Sequence, residues 1–135
     1  MSTFPLQIVT PYGLVYDGVA EKLVVRTIDG ERGILARHCN YVTALGMGEA
    51  RVYADGTVRR GACIGGMLAV TDGAVRLVPT TFEWAEEIDA ERAKRSEERA
   101  REKLANARSA RELELASARL KRALVRGSVA SHRGL

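Results

Sequence analysis

The chain has 135 residues, 46% hydrophobic and 28% charged, with a formal net charge of +4. That length suits one domain, or a small domain with an appendage, and the balance is that of a globular chain rather than a disordered one. The longest uncharged stretch, 61–71, is too short and too rich in glycine to cross a bilayer, which takes about 20 apolar residues, so no direct membrane insertion is expected. Residues 1–5 lack the basic start and apolar run of a signal peptide, and a cytoplasmic protein is the expectation.

The first part of the chain, to about Pro79, carries most of the glycine and all three prolines. It divides into short apolar runs separated by turn residues. Leu6-Gln7-Ile8-Val9 ends at Thr10-Pro11, Leu14-Val15-Tyr16 ends at Asp17-Gly18, and Leu23-Val24-Val25 leads to Asp29-Gly30. Ala50-Arg51-Val52-Tyr53 and Thr57-Val58-Arg59 flank Ala54-Asp55-Gly56, a hairpin signal. Met67-Leu68-Ala69-Val70 and Val75-Arg76-Leu77-Val78 flank a second one at Thr71-Asp72-Gly73-Ala74. Strands this short, about 8–12 residues apart, favour a β-sandwich or barrel filled by Val, Ile and Leu. Cys39 and Cys63 form no C-x-x-C motif and are expected to be reduced and buried. The adjacent pair His38-Cys39 has no further ligands at metal-binding spacing, and no metal site is expected.

After Pro79 the pattern changes. From 89 to 126 there is no glycine or proline, and Ala, Leu, Glu, Lys and Arg dominate. Asp89 is placed to cap a helix, and Gly127 to stop one. The weak segment Asn106-Ala107-Arg108-Ser109 predicts a turn, giving two antiparallel helices of roughly 17 residues each. The second carries Leu113, Ala116, Leu120 and Leu124 as one apolar stripe; the first carries Ala93, Ala100, Leu104 and Ala107. Because apolar burial scales with area at roughly 25 cal/mol per Å², alanines hold such a hairpin weakly, and it should be able to unfold or re-dock. The tail 128–135, with His132, reads as frayed.

Charge is uneven. Residues 1–82 carry +1, residues 83–103 carry −2 and residues 104–135 carry +5. The basic last third raises a competing reading, a basic nucleic-acid-binding β-sandwich protein. That third contains no Phe, Trp or Tyr for base stacking, and the sandwich is nearly neutral, so no nucleic acid partner is expected. No catalytic triad, metal cluster or Gly-rich phosphate loop stands in the chain, and no catalytic residues are assigned.

The order of these pieces resembles the epsilon subunit family of bacterial F-type ATP synthases. Val9-Thr10-Pro11 and Val15-Tyr16-Asp17-Gly18 are similar to its opening strands. Asp29-Gly30-Glu31-Arg32-Gly33-Ile34-Leu35-Ala36-Arg37-His38 resembles its signature loop, and Gly65-Gly66 its late glycine pair. Ile88-Asp89-Ala90-Glu91-Arg92-Ala93 resembles the start of its first C-terminal helix, and Leu120-Lys121-Arg122-Ala123 with Arg126 the end of its second. The resemblance implies an N-terminal all-β sandwich of about ten short strands over residues 1–84 and an antiparallel two-helix hairpin over 85–135. It implies a non-catalytic rotor subunit of a proton-transporting synthase. The sandwich would bind the gamma subunit and the c ring, with Glu31 and His38 facing the ring. The hairpin would lie beside the sandwich or extend along gamma into the alpha/beta catalytic head and inhibit hydrolysis. The location implied is peripheral, on the cytoplasmic face of the bacterial plasma membrane.

No cofactor is required in this family, but some members bind ATP to the folded hairpin as a regulatory ligand. The matching positions here are Glu83, Ile88, Asp89, Arg92, Ala93, Arg99, Arg122 and Arg126. Arginine forks suit phosphate oxygens, and like charges gathered in a folded hairpin repel until an anion arrives. Arg92 and Arg99 stand seven apart, Arg122 and Arg126 four apart, so the four are expected to converge near the open end of the hairpin.

Overall fold

In the computed structural model, which describes residues 2–132, the turn signals deliver ten strands. These are β1 (Phe4–Thr10), β2 (Gly13–Ala20), β3 (Lys22–Thr27), β4 (Gly30–Leu35) and β5 (Tyr41–Ala44), then β6 (Met47–Ala54), β7 (Thr57–Ile64), β8 (Met67–Thr71), β9 (Ala74–Val78) and β10 (Thr81–Trp84). They form two five-stranded sheets, β2-β1-β9-β8-β5 and β10-β7-β6-β3-β4, with β1 and β9 paired in parallel. Leu6, Ile8, Leu23, Val25, Ile34, Leu68 and Leu77 meet between the sheets with no exposed surface. Each such side chain contributes roughly 1.5–3 kcal/mol by leaving water. Trp84 closes the core, edge-on to Phe82 at 4.8 Å and to Tyr16 at 6.2 Å, with the Arg59 guanidinium 3.7 Å above its ring.

The turns follow from side-chain chemistry. Thr10 and Thr27, the two buried polar residues among those described, each accept a backbone N–H two residues on and donate to the carbonyl of a glycine three residues on. Asp55-Gly56 and Asp72-Gly73 both take positive φ, which matches the right-handed twist of their hairpins. Gly66 is needed on two counts. Its φ is +96°, and a Cβ there would sit 2.0 Å from the Val78 carbonyl oxygen.

A 3-10 turn, Ala85–Glu87, leads from β10 into α1 (Ala90–Ala105) and α2 (Ala110–Ser131). The side chain of Asp89 accepts from the Arg92 amide and caps α1; Ser109 does the same for α2 through Glu112. Ala93 and Ala100 of α1 are buried, as are Ala116, Ala123 and Ala130 of α2. Alanine every seven residues puts one small-residue row on each helix; Ala93 and Ala100 face Ala116 and Ala123 across the seam, and Ala130 continues the row onto the sandwich. The end of α2 packs Val129 and Ala130 against Ala62, Ala85 and Ile88, on the outer face of β10-β7-β6-β3-β4.

Several expectations need correction. Asp17-Gly18 does not end a strand; β2 continues to Ala20, with Asp17 opposite Gln7 and Gly18 opposite Leu6 after a bulge at Ile8/Val9. Tyr16 lies over Gly18, and its hydroxyl donates to the Val19 carbonyl at 2.7 Å. Gly127 does not stop α2, because burial of Val129 and Ala130 beyond it outweighs a glycine penalty of about 1 kcal/mol. The helices have 16 and 22 residues, and of the tail 128–135 expected to fray, residues 128–131 are helical and His132 follows as the cap, while 133–135 lie outside the described residues. The expected stripe of α2 is buried only in part. Ala116 lies inward and Leu120 is half-buried, but Leu113 and Leu124 are exposed, and Ala123 and Ala130 are buried instead. Cys39 is exposed, while Cys63 is buried among apolar side chains, which pushes its thiol up to about 12.

Candidate functional site

Where the sandwich hands over to the hairpin, β10, the 3-10 turn, the first turns of α1 and the last turns of α2 enclose a cleft of about 400 Å³. Its walls are Glu83, Glu87, Ile88, Asp89, Arg92, Ala93, Ser96, Ala123 and Arg126. Glu83 reaches it because alternation along β10 sends Phe82 and Trp84 into the core and Glu83 outward. Arg126 Nε donates to Glu83 Oε1 at 3.0 Å and ties the end of α2 to the sandwich. Ile88, almost fully buried, fixes the linker, and Asp89 holds the first turn of α1.

Six of the eight sequence-expected residues therefore gather here: Glu83, Ile88, Asp89, Arg92, Ala93 and Arg126. Arg99 does not join them. It lines a separate hollow of about 470 Å³ nearer the hairpin tip, with Glu102, Lys103, Glu112 and Arg119. Seven helical residues carry it about 10 Å along the axis from Arg92. Arg122, half-buried one turn before Arg126, lines neither space. Convergence is thus of two arginines rather than four. Glu87, Ser96 and Ala123 belong to the wall and were not anticipated; Ser96 stands four residues after Arg92 and Ala123 three before Arg126, a helical spacing that could have found the last two.

Chemically, the cleft sets two guanidinium forks and the amide-rich start of α1 against three carboxylates. The cations and amides suit an anion of several oxygens. The carboxylates suit a ligand that also presents N–H or O–H donors.

Glu31 and His38 fall at opposite ends of β4. Glu31, near its start, meets Arg51 at 3.0 Å; His38, in the turn beyond its end, places Nδ1 2.7 Å from the Cys39 carbonyl oxygen and its ring beside Tyr41. A strand of six residues spans roughly 20 Å, so the two do not form one contact patch. The end that holds Glu31 also holds the turn tips Tyr12 and Ile28, 89% and 68% exposed. Across the outer face of β10-β7-β6-β3-β4, Glu49 accepts from Arg60 at 2.8 Å and from His132, and Arg51 bridges Glu49 to Glu31. Burial alone would push the Glu49 carboxyl up; hydrogen bonds from His132 and Arg60, and their charge, outweigh it and hold the carboxyl below the usual range.

The outer face of β2-β1-β9-β8-β5 sets exposed apolar side chains around a polar centre of Gln7, Asp17 and Arg76, with Arg76 donating to Gln7 at 3.1 Å. Cross-strand register sets Leu14 beside Val9, Val19 beside Pro5, Met67 beside Val78 and Val42 beside Ala69. Leu14, Val19, Val42, Met67 and Val78 are all exposed on it. Among the described residues no helix is long and apolar enough to cross a membrane, and no group of three or more His, Cys, Asp or Glu could hold a metal ion.

Residues 3–85 match the family described as ATP synthase, Delta/Epsilon chain, beta-sandwich domain, and residues 86–131 match its long alpha-helix domain. The chain is 39% identical to an ATP synthase epsilon chain from Shouchella clausii, over 99% of both chains. It is 38% identical to one from Ruminococcus albus, over 97% of this chain and 98% of that one. Its fold superposes with a TM-score of 0.83 on a chain of the Euglena gracilis mitochondrial ATP synthase, at 24% identity over 98% of this chain and 83% of that chain. For a chain of the central stalk and c ring of the Tetrahymena thermophila mitochondrial enzyme the TM-score is 0.68, at 13% identity over 93% of this chain and 95% of that chain.

Proposed function

The chain belongs to the family of ATP synthase epsilon subunits, non-catalytic components of the central stalk, and on that premise we propose that its sandwich is a rotor-binding domain and its hairpin an ATP-responsive arm that inhibits hydrolysis. The outer face of β2-β1-β9-β8-β5, with Leu14, Val19, Val42, Met67 and Val78 exposed on it, is the surface for the gamma subunit. The end that carries Tyr12, Ile28 and Glu31 meets the c ring, and His38 shapes its own loop at the other end. The assembled chain sits peripherally at the cytoplasmic face of the membrane and turns with the ring of a proton-transporting synthase.

One observation carries the regulatory part. The docked hairpin buries its alanine row and leaves Leu113, Leu115 and Leu124 in solvent. A helix that hides its small residues and exposes its large ones has apolar area still to bury, and an extended arm along gamma and the alpha/beta head would bury it. Repulsion among the arginines of basic α2 also favours release when no anion is bound. ATP, with phosphates on Arg92 and Arg126 and base or ribose donors on Glu83 and Asp89, would bind only the docked form and so stabilise it. Titrating ATP calorimetrically into the isolated chain, with Arg92→Ala and Arg126→Ala as controls, tests this. Saturable heat lost in both variants is expected. No heat up to millimolar ATP would remove the nucleotide from the account.

A further inference from the structure

The cleft is not the only charged point where the hairpin meets the sandwich. Six residues beyond Arg126, just past the end of α2, His132 brings Nδ1 to 2.5 Å from Glu49 Oε2 on β6. Glu49 is only 14% exposed, and its other oxygen takes Arg60 at 2.8 Å. The groups around the imidazole are Glu49 of β6, Arg59 and Arg60 of β7, and Glu86 of the 3-10 turn, which pairs with Arg59 at 2.8 Å; Arg51 reaches it only through Glu49. Between the two anchored points the seat consists of Val129 and Ala130 over Ala62, Ala85 and Ile88. That is a small apolar area, so a contact to a carboxylate as buried as Glu49 can shift its hold, more than the part-exposed Arg126–Glu83 pair does.

We propose that His132 and Glu49 form a proton-sensitive latch that keeps the hairpin docked when no nucleotide is bound. An imidazole carries charge only with both nitrogens protonated, and histidine side chains change charge between about pH 5 and 8. A charge-assisted hydrogen bond is roughly twice as strong as a neutral one. Across that interval Glu49 stays ionised, since its carboxyl is held below the usual range by His132 and Arg60 against the opposing effect of burial. The latch is therefore tighter on the acid side of the interval and looser on the alkaline side. It sits outside the nucleotide cleft, so it acts on the same arm by a separate contact. The proposal rests on the reading that the arm can leave the sandwich.

The test is amide exchange in the full chain, free of nucleotide, at pH 6 and pH 8, with protection corrected for intrinsic exchange. Residues 123–131 are compared in the wild type, His132→Ala and His132→Lys. Wild-type protection should fall several-fold between the two pH values. It should be low at both for His132→Ala and high at both for His132→Lys, with the sandwich strands unchanged throughout. Wild-type protection in His132→Ala would overturn the latch, and so would equal loosening in both variants, since shape rather than charge would then matter. Repeating the series with ATP separates the two ideas. Slower exchange with ATP in every variant, with His132→Ala otherwise like wild type, sinks the latch and leaves the nucleotide reading standing. Loosening by His132→Ala with no response to ATP does the reverse.

Discussion

Arg126, near the end of α2, holds its Nε 3.0 Å from Oε1 of Glu83 on β10, across 43 residues of sequence. A carboxylate of the sandwich thus pairs with one of the two guanidinium groups of the cleft. The same arginine serves as anchor and as candidate phosphate ligand. Arg126→Ala should lower ATP affinity at least tenfold by calorimetry. Its effect on docking alone should be small, about 0–1 kcal/mol, because the pair is part-exposed and screened by water.

Gly66→Ala should cost about 3 kcal/mol and lower the thermal midpoint clearly, because the new methyl group meets the Val78 carbonyl at an unfavourable φ. Gly56→Ala is the matched control. It also stands at positive φ, but open space surrounds it, so only the conformational cost of about 1–2 kcal/mol remains. Equal midpoints for the two variants would contradict the close approach.

Gly127→Ala should tighten α2. Nothing lies within 4 Å of the added carbon, and alanine favours a helix interior by about 1 kcal/mol over glycine. Amide protection across residues 120–131 should rise about fivefold, since 1.4 kcal/mol is tenfold.

Glu49 sets an acid limit on docking. Its folded-state carboxyl titrates below its ordinary value, since the hydrogen bonds and charge of His132 and Arg60 outweigh burial. The stability it contributes is present above the ordinary carboxylate range, about pH 4.3, and is lost as pH falls below that through the lower folded value. Acid unfolding followed by circular dichroism should show a wild-type transition in that window. Glu49→Gln should be less stable at pH 7 and flatter through it.

The strands were legible because their turns carry local chemistry: Asp55-Gly56 and Asp72-Gly73 take the conformations that their residue types favour. Asp17-Gly18 misled because β2 continues through non-local pairing with β1, which no local signal reports. Gly127 misled for the same kind of reason, since the contacts of Val129 and Ala130 with the sandwich carry the helix past it. On α2 the expected stripe joined Ala116 to Leu113, Leu120 and Leu124, and periodicity could not say that the inward face runs from Ala116 through Ala123 and Ala130 instead. The close approach of two helices selects the smaller residues, and the matching seven-residue spacing of Ala93 and Ala100 was the available sign. Most of the cleft was legible from the positions of Glu83, Asp89, Arg92 and Arg126. Arg99 was not excluded in advance, since sharing a helical face says nothing about distance along the axis. His132 and its bond to Glu49 link residues 83 apart in the chain, and no spacing in the sequence announces such a pair.

The central claim is that the hairpin is a separable arm which ATP holds against the sandwich, and amide exchange of residues 90–131 with and without ATP tests it most directly. In free protein those residues should exchange well before the core strands β1, β6 and β9, and ATP should slow them without altering the strands. Hairpin protection equal to that of the strands, and unchanged by ATP, would contradict it.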